Sequence, residues 1–294
     1  MASKFSEKKI DTFTIGFKEK EWDESKNARK IAAHIGSNHN ELIIDSKNIL
    51  DSVVETINLY DQPFGDSSSI PTNILSGFAS KKVKVALSGD GGDELFSGYA
   101  RYGLTKMISD IPFPIRALAS KTINGFSALG INQFNLDKVY KLSRILNEKN
   151  LESIYDEVLA NPSKINPTNK ASHRISLKHA PLDIQKKLGS RGYMQLTDIY
   201  NYLPNDILVK VDRSSMNHSL ETRAPFLNPA LFNKCFMDVK NKNKKDFKNK
   251  AILKKILEQY IPKELIYTSK KGFSIPIVHW LRGPLKEWLS LIHI

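Results

Sequence analysis

Ser88-Gly89-Asp90-Gly91-Gly92-Asp93-Glu94 packs three glycines and three carboxylates into one short run. Glycines let backbone N–H groups turn toward a common centre and form an anion-binding nest. Carboxylates beside such a nest suit a nucleotide whose phosphates carry Mg²⁺, a hard cation that takes carboxylate oxygens. The bland rival is a Gly-Asp turn joining a strand to a helix; the density of glycine and acid favours chemistry. The run does not fit G-x-x-x-x-G-K followed by Ser or Thr, so it is no Walker-type loop. Nor does it have EF-hand spacing.

Other chemistry-bearing residues are weaker signals. Lys250, before Ala251-Ile252-Leu253, ends a lysine- and asparagine-rich stretch that begins at Lys240 and reads most simply as a solvated loop. Asp212 and Arg213 read as a helix-surface pair or as a buried ion pair. Glu221 and Arg223 alternate on an extended segment and suit a plain salt bridge or a site role. His34 and His39 have no spaced third ligand, which argues against a metal. Cys235 falls in an apolar helix and reads as core.

An anion-binding loop needs a strand behind it, because ligands in parallel sheets bind beyond the carboxyl ends of the strands. Val83–Leu87 is that strand, expected to be buried. Thr12–Phe17 and Leu42–Ile44 are earlier strands. Between them, Glu24–Ile35 carries Ala28, Ile31, Ala32 and Ile35 on one helical face and stops at Gly36. Ser46 caps a helix bearing Ile49, Leu50, Val53, Val54 and Ile57. Pro71 opens another with Ile74, Leu75 and Phe78 inward. Strands alternating with helices imply parallel βαβ units. Beyond residue 105 helical patterns take over, around Val139–Leu146, Leu151–Leu159, Met194–Leu203, Asp206–Met216, Pro229–Phe236 and Lys250–Tyr260, with a polar connector at Asn161–Ser172.

Composition narrows the class. The 294 residues have 44 Lys+Arg against 31 Asp+Glu, a formal net charge of +13. Hydrophobic residues make up 40%, with 15 Gly and 13 Pro, which excludes collagen, low-complexity disorder and coiled coil. Apolar runs are too short for a membrane span, the N-terminus lacks a signal-peptide core, and one cysteine rules out an internal disulfide. A cytoplasmic protein with no membrane partner is expected. The basic excess is poor in Arg and aromatics where it clusters, so no nucleic-acid partner is expected.

Ser88–Tyr99 resembles the ATP-site motif S-G-(D/E)-G-x-D-E-x-F-x-G-Y of the asparagine synthetase (glutamine-hydrolysing) family. Thr12–Phe17 and Glu21–Glu24 are similar to its T-F-(S/T)-I-G-F and E-(F/W)-(D/N)-E runs, and Asp61–Ser68 to its D-E-P-F-A-D-S-S. Lys210–Met216 and Leu220–Leu227 resemble its K-x-D-R-x-S-M and L-E-x-R-x-P-F-L-D, except that Asn228 replaces the final acid. Lys270–Pro276 resembles its K-x-G-F-x-x-P. The matches keep their order over nearly the whole chain.

The resemblance implies an α/β fold: a parallel-sheet ATP-pyrophosphatase core, like the adenine nucleotide alpha hydrolases, over residues 1–105. A mainly helical part of the same synthetase domain follows over 106–294. It implies an AMP-forming carbon–nitrogen ligase with ATP and Mg²⁺. Aspartate would be activated on its side chain to β-aspartyl-AMP, then amidated by ammonia, drawn from glutamine in the full-length family. A related amidotransferase or β-lactam-forming ligase acting on another carboxylate is the alternative, and a homodimer is compatible with either. By resemblance, Ile15, Ser88, Gly89, Gly91 and Tyr99 bind ATP, Asp93 holds the metal, and Asp90 and Lys250 are catalytic. Asp90 belongs to adenylate formation and the amide step, Lys250 to the departing phosphates. The family's glutaminase domain, with its N-terminal cysteine, and its S-G-G-x-D-S pyrophosphate loop have no counterpart here, since residue 2 is Ala2 and no glycine precedes Thr12. The expectation is therefore a synthetase-domain fragment, truncated at its N-terminus and inactive alone.

Overall fold

The structure, a computed structural model, describes residues 2–45, 49–128, 136–160, 179–237, 250–268 and 275–291. Ser46, the Asn161–Ser172 connector, residues 240–249 of the lysine-rich stretch and residues 270–274 of the last motif lie outside the described residues. The chain forms two compact units that interleave along the sequence rather than dividing at one position. One comprises Met1–Asp90, Asn205–Pro225 and Leu253–Ile294; the other comprises Gly91–Pro204 and Phe226–Ile252.

In the first unit, β1 (Asp11–Phe17) pairs in parallel with β2 (Asn38–Ile44), with Ile15 opposite Leu42 and Phe17 opposite Ile44. Parallel strands need a crossover, and the Ser25–Ile35 helix supplies it. Its Ala32 is buried, as the helical face predicts. β2 begins four residues earlier than Leu42 because Asn38–Glu41, though polar, pair with β1. The core joins Ile15, Phe17, Ile44, Ile49 and Ile70 to Ile275, Trp280 and Leu285. Trp280 comes from the Ile277–Arg282 helix, packs 6.2 Å from the Phe17 ring and donates its indole N–H to Glu19 at 2.7 Å. That closure joins residues more than 260 apart in sequence, and no local pattern announces it.

Several expectations need correction here. The third strand, β3 (Val85–Leu87), is shorter than Val83–Leu87 and is not buried: Leu87 is 64% exposed. It pairs with β4 (Glu221–Arg223), Val85 opposite Glu221, in a two-stranded parallel sheet. A Val-Lys-Val-Ala-Leu run signals a strand, but nothing in it says which face another element covers. The Ser69–Ser80 helix begins before Pro71, which sits inside the first turn, where its missing N–H has no intrahelical partner to lose. In the Ile49–Ile57 helix Ile49 is fully buried, yet Val54 and Ile57 face out.

The second unit is helical among its described residues. Ala100–Ser109, Phe113–Ala128, Leu136–Leu146, Leu151–Leu159 and Leu182–Tyr200 pack around two apolar clusters. The first two helices escaped the sequence reading because their apolar residues do not concentrate on one stripe. The Leu182–Tyr200 helix is broken at Gly189, and Met194–Leu203 catches only its second half. A π turn at Leu203–Ile207 then delays the next helix to Leu208–Met216, which belongs to the first unit. Asn150 caps the Leu151–Leu159 helix with a capping box. At the centre, fully buried Asp198 accepts from Tyr102 Oη at 2.5 Å, Tyr155 Oη at 2.7 Å and Arg101 at 2.7 Å. A carboxylate out of water needs such donors.

Candidate functional site

The glycine–acid run passes from one compact unit into the other between Asp90 and Gly91. In the first unit, β3 hands the chain to Ser88, whose N–H bonds the Arg223 carbonyl at 2.9 Å and extends the β3–β4 ladder by one residue. Ser88 Oγ is buried with no hydrogen-bond partner among the described residues. Buried hydroxyls are normally satisfied, so this one is a candidate ligand contact. A Cβ on Gly89 would meet nothing within 4 Å, so open space lies beside that backbone. Ile15 is buried in the core of this unit, so any ligand contact it makes runs through its strand rather than its side chain.

In the second unit, Gly91 (φ 82) turns the chain into a single helical turn, Gly92–Leu95. Positive φ favours glycine there. A Cβ at Gly91 would also lie 2.4 Å from Leu227, and one at Gly92 would crowd Phe226. The Phe226-Leu227 end of one sequence motif thus covers the glycines of another. Phe226 also meets Phe96 edge to face at 5.6 Å.

Asp93 and Lys250 meet on this turn. Lys250 Nζ donates to Asp93 Oδ2 at 2.9 Å, across 157 residues of sequence. Both side chains are partly exposed, so the pair faces solvent on one side. Two backbone contacts frame it: the Gly98 N–H bonds the Asp93 carbonyl at 2.8 Å, and the Lys250 N–H bonds the Phe96 carbonyl at 3.1 Å. Lys250 holds φ 60, a left-handed conformation that costs a non-glycine residue about 1–3 kcal/mol and persists only where the surroundings impose it. A Cβ on Gly98 would stand 1.9 Å from Asp93 Oδ1 and 2.5 Å from Lys250 Cε. The glycine is therefore required by the pair.

Behind the turn, Glu94 is 1% exposed. It accepts from Tyr99 Oη at 2.6 Å through Oε1, while Oε2 has no hydrogen-bond partner among the described residues. Burial pushes its carboxyl above the usual range; the Tyr99 bond opposes the rise, and the Asp93 and Asp198 charges add to it. Burial and the Glu94 carboxyl likewise push the Tyr99 hydroxyl up and keep it a donor. The Arg101 guanidinium lies 3.8 Å over the Tyr99 ring. The structure therefore gives Tyr99 an internal hydroxyl bond and a cation over its face.

The sequence motifs of the first unit also converge. Lys210 donates to Asp66 at 2.6 Å and to Ser68 Oγ at 2.7 Å, joining segments more than 140 residues apart. Burial would raise the Asp66 carboxyl, but the Lys210 ammonium and the Ser68 donors outweigh it and hold it below its ordinary value. Arg213 pairs with Asp61 rather than Asp212, and both members are exposed. Glu221 and Arg223 form a salt bridge at 2.7 Å, also exposed. His34 bonds the Tyr260 carbonyl and His39 meets Thr12. Cys235 is half-buried, less enclosed than its apolar helix suggested.

The family model described as asparagine synthase matches residues 1–292. The chain belongs to the asparagine synthase family. It is 28% identical over 303 residues to asparagine synthetase (glutamine-hydrolyzing) 1 of Bacillus subtilis, covering 96% of this chain and 45% of that protein. A Mycobacterium tuberculosis relative is 30% identical over 297 residues, covering 95% of this chain and 43% of its own. The asparagine synthetase (glutamine-hydrolyzing) of Gallus gallus is 38% identical over 95 residues, 31% of this chain and 16% of its own. The chain thus spans less than half the length of the curated relatives it matches over most of its residues. No described helix is long and apolar enough to cross a membrane.

The donor set bears on the metal that the family resemblance implies. Among the described residues, no three His, Cys, Asp or Glu side chains gather into a metal cage. One carboxylate, Asp93, stands with a cation on a glycine turn. Mg²⁺ is commonly held by one or two carboxylates together with substrate phosphates, and the residues present fit an ion delivered that way. Sequence reasoning counted Glu94 among the acids of the loop without its buried role, left Gly98 an unexplained letter in the motif, and missed Gln195.

Proposed function

We propose that this chain carries the ATP-dependent, AMP-forming step of an amide synthesis, on an ATP-pyrophosphatase core. Aspartate is the carboxylate activated and ammonia the amine. The observation that carries the reading is the 2.9 Å contact between Asp93 and Lys250. It joins, across most of the chain, the two charged residues that the family resemblance gives to metal and to leaving group.

The chemistry asks for little covalent work by the protein. The aspartate side-chain carboxylate attacks the α-phosphorus of ATP, forming β-aspartyl-AMP and releasing pyrophosphate. Ammonia then attacks the acyl carbon, AMP leaves, and asparagine remains. Asp93 would hold a Mg²⁺ ion arriving with the phosphates, and that ion would offset their negative charge. The Lys250 ammonium meets charge as it grows on pyrophosphate, which stabilises the transition state more than the ground state. The unpartnered hydroxyl of Ser88 and the open backbone at Gly89 supply neutral contacts to the nucleotide, and Gly91 sets the turn that aims the loop. Asp90 serves the acyl-adenylate. Tyr99, its hydroxyl committed to Glu94, supports the loop from behind.

Aspartate-dependent exchange of labelled pyrophosphate into ATP tests this in the full-length polypeptide. The expected result is exchange that requires Mg²⁺ and falls about 10- to 100-fold or more in Asp93→Asn. Undiminished exchange in that variant removes Asp93 from the metal. Exchange with another carboxylate but not with aspartate moves the chain to a different amide.

A further inference from the structure

Gln195 lies on the Leu182–Tyr200 helix, outside every motif of the sequence reading, and is 3% exposed. Its Nε2 donates to the Glu94 carbonyl at 2.5 Å and to the Leu95 carbonyl at 3.1 Å, across about a hundred residues of sequence. These are the last carbonyls of the Gly92–Leu95 turn. A helix leaves its last carbonyls without intrahelical partners. A side-chain amide spanning two of them fixes both the end and the tilt of the turn. The opposite side is fixed through Glu94, whose carboxyl is held by Tyr99, which in turn lies under Arg101. Asp93 immediately precedes Glu94, so the turn sets the backbone from which its carboxylate reaches Lys250.

We propose that Gln195 is a positioning residue for the Asp93–Lys250 pair: its amide clamps the turn so that the Asp93 carboxylate stays within reach of Lys250. The inference deepens the reading above and rests on it for the consequence in catalysis, though the clamp itself is a matter of geometry. Gln195 touches no reacting atom. Its effect passes through backbone, where a displacement of about 1 Å can cost on the order of 100-fold in rate.

Two substitutions separate clamping from mere packing. Gln195→Met keeps the volume and loses both donors. Gln195→Asn keeps the amide but is one methylene too short to span both carbonyls. Two readouts are taken on the full-length polypeptide. The first is competitive acetylation of Lys250, read by mass spectrometry against Lys106, a surface lysine paired with Asp110 in the same unit. The Lys250 side chain is only 30% exposed and its Nζ is held on Asp93, so reagent reaches it slowly in the wild type. We expect labelling to rise several-fold in both variants while Lys106 is unchanged. The second is aspartate-dependent ATP–pyrophosphate exchange, expected to lose about 10- to 100-fold in kcat with the ATP dissociation constant within about twofold.

Wild-type labelling of Lys250 in both folded variants overturns the clamp, whatever the exchange rate. Failure of both variants to fold also overturns it, making Gln195 a folding residue. Absence of exchange in the wild type defeats the functional reading alone, and the labelling still decides the clamp.

Discussion

Lys250 sits in a left-handed backbone conformation with its N–H on the Phe96 carbonyl and its ammonium on Asp93. A flexible loop lysine would not hold that conformation. In the full-length polypeptide Lys250→Ala should depress pyrophosphate exchange about 100-fold or more, with ATP affinity little changed, because the cation acts as charge develops. A change confined to the ATP dissociation constant would make it a ground-state contact. Gly98→Ala tests the same spot sterically, since the added methyl collides with both members of the pair. The atoms met are the ends of flexible, partly exposed side chains, so the pair should part with little shift in the urea midpoint while exchange falls. Normal exchange in Gly98→Ala would mean that the pair can part without consequence. At this scale the sequence was informative about identity and silent about adjacency. Asp93 stood out because acids and glycines cluster around it. Lys250 stood out only through its resemblance to a motif, and Gln195 not at all, because one buried glutamine on a helix has no local signature.

Strands and helices were legible where their own residues carry the pattern, as in β1 and the Ser25–Ile35 helix. They were misread where another segment decides burial. β3 is exposed, and its described pairing partner, the three-residue β4, comes from beyond residue 220. A comparable distant contact, Lys210 with Asp66, ties the Leu208–Met216 helix to the loop before Ser69. The pair is largely enclosed, and its loss in Asp66→Asn should cost about 1–3 kcal/mol, between the values for exposed and buried ion pairs. The pH dependence follows from the lowered Asp66 carboxyl. Its stabilising effect is fully present above the unfolded-state value, near 3.9 for aspartate, and is lost as pH falls through the lower folded value. Urea melts of wild type and Asp66→Asn should therefore differ by a constant amount from about pH 5 to 7 and converge in stronger acid. A difference that instead grows toward acid would show that the pair does not govern this junction.

Across the whole molecule, the sequence places its change of character at residue 105, and the contacts form two compact units that interleave along the chain. Strand-rich sequence stops near that point, yet Asn205–Pro225 and Leu253–Ile294 return to the first unit. Returning segments carry Lys210, β4 and Trp280, each meeting a partner from the first ninety residues. The charged pair in the second unit is completed in the same manner, by a lysine from the late Phe226–Ile252 segment. A family motif can therefore be scattered along the chain and still be physically local. What the assembled residues are proposed to do is join the aspartate carboxylate to the α-phosphorus of ATP. Isotope transfer tests that most directly. The full-length polypeptide is supplied with ATP, Mg²⁺, ammonia and aspartate bearing ¹⁸O in its side-chain carboxylate, and the products are analysed by mass spectrometry. Adenylation places one ¹⁸O in AMP for each asparagine formed. Label recovered in inorganic phosphate, with ADP as the nucleotide product, would contradict an AMP-forming reaction at this site.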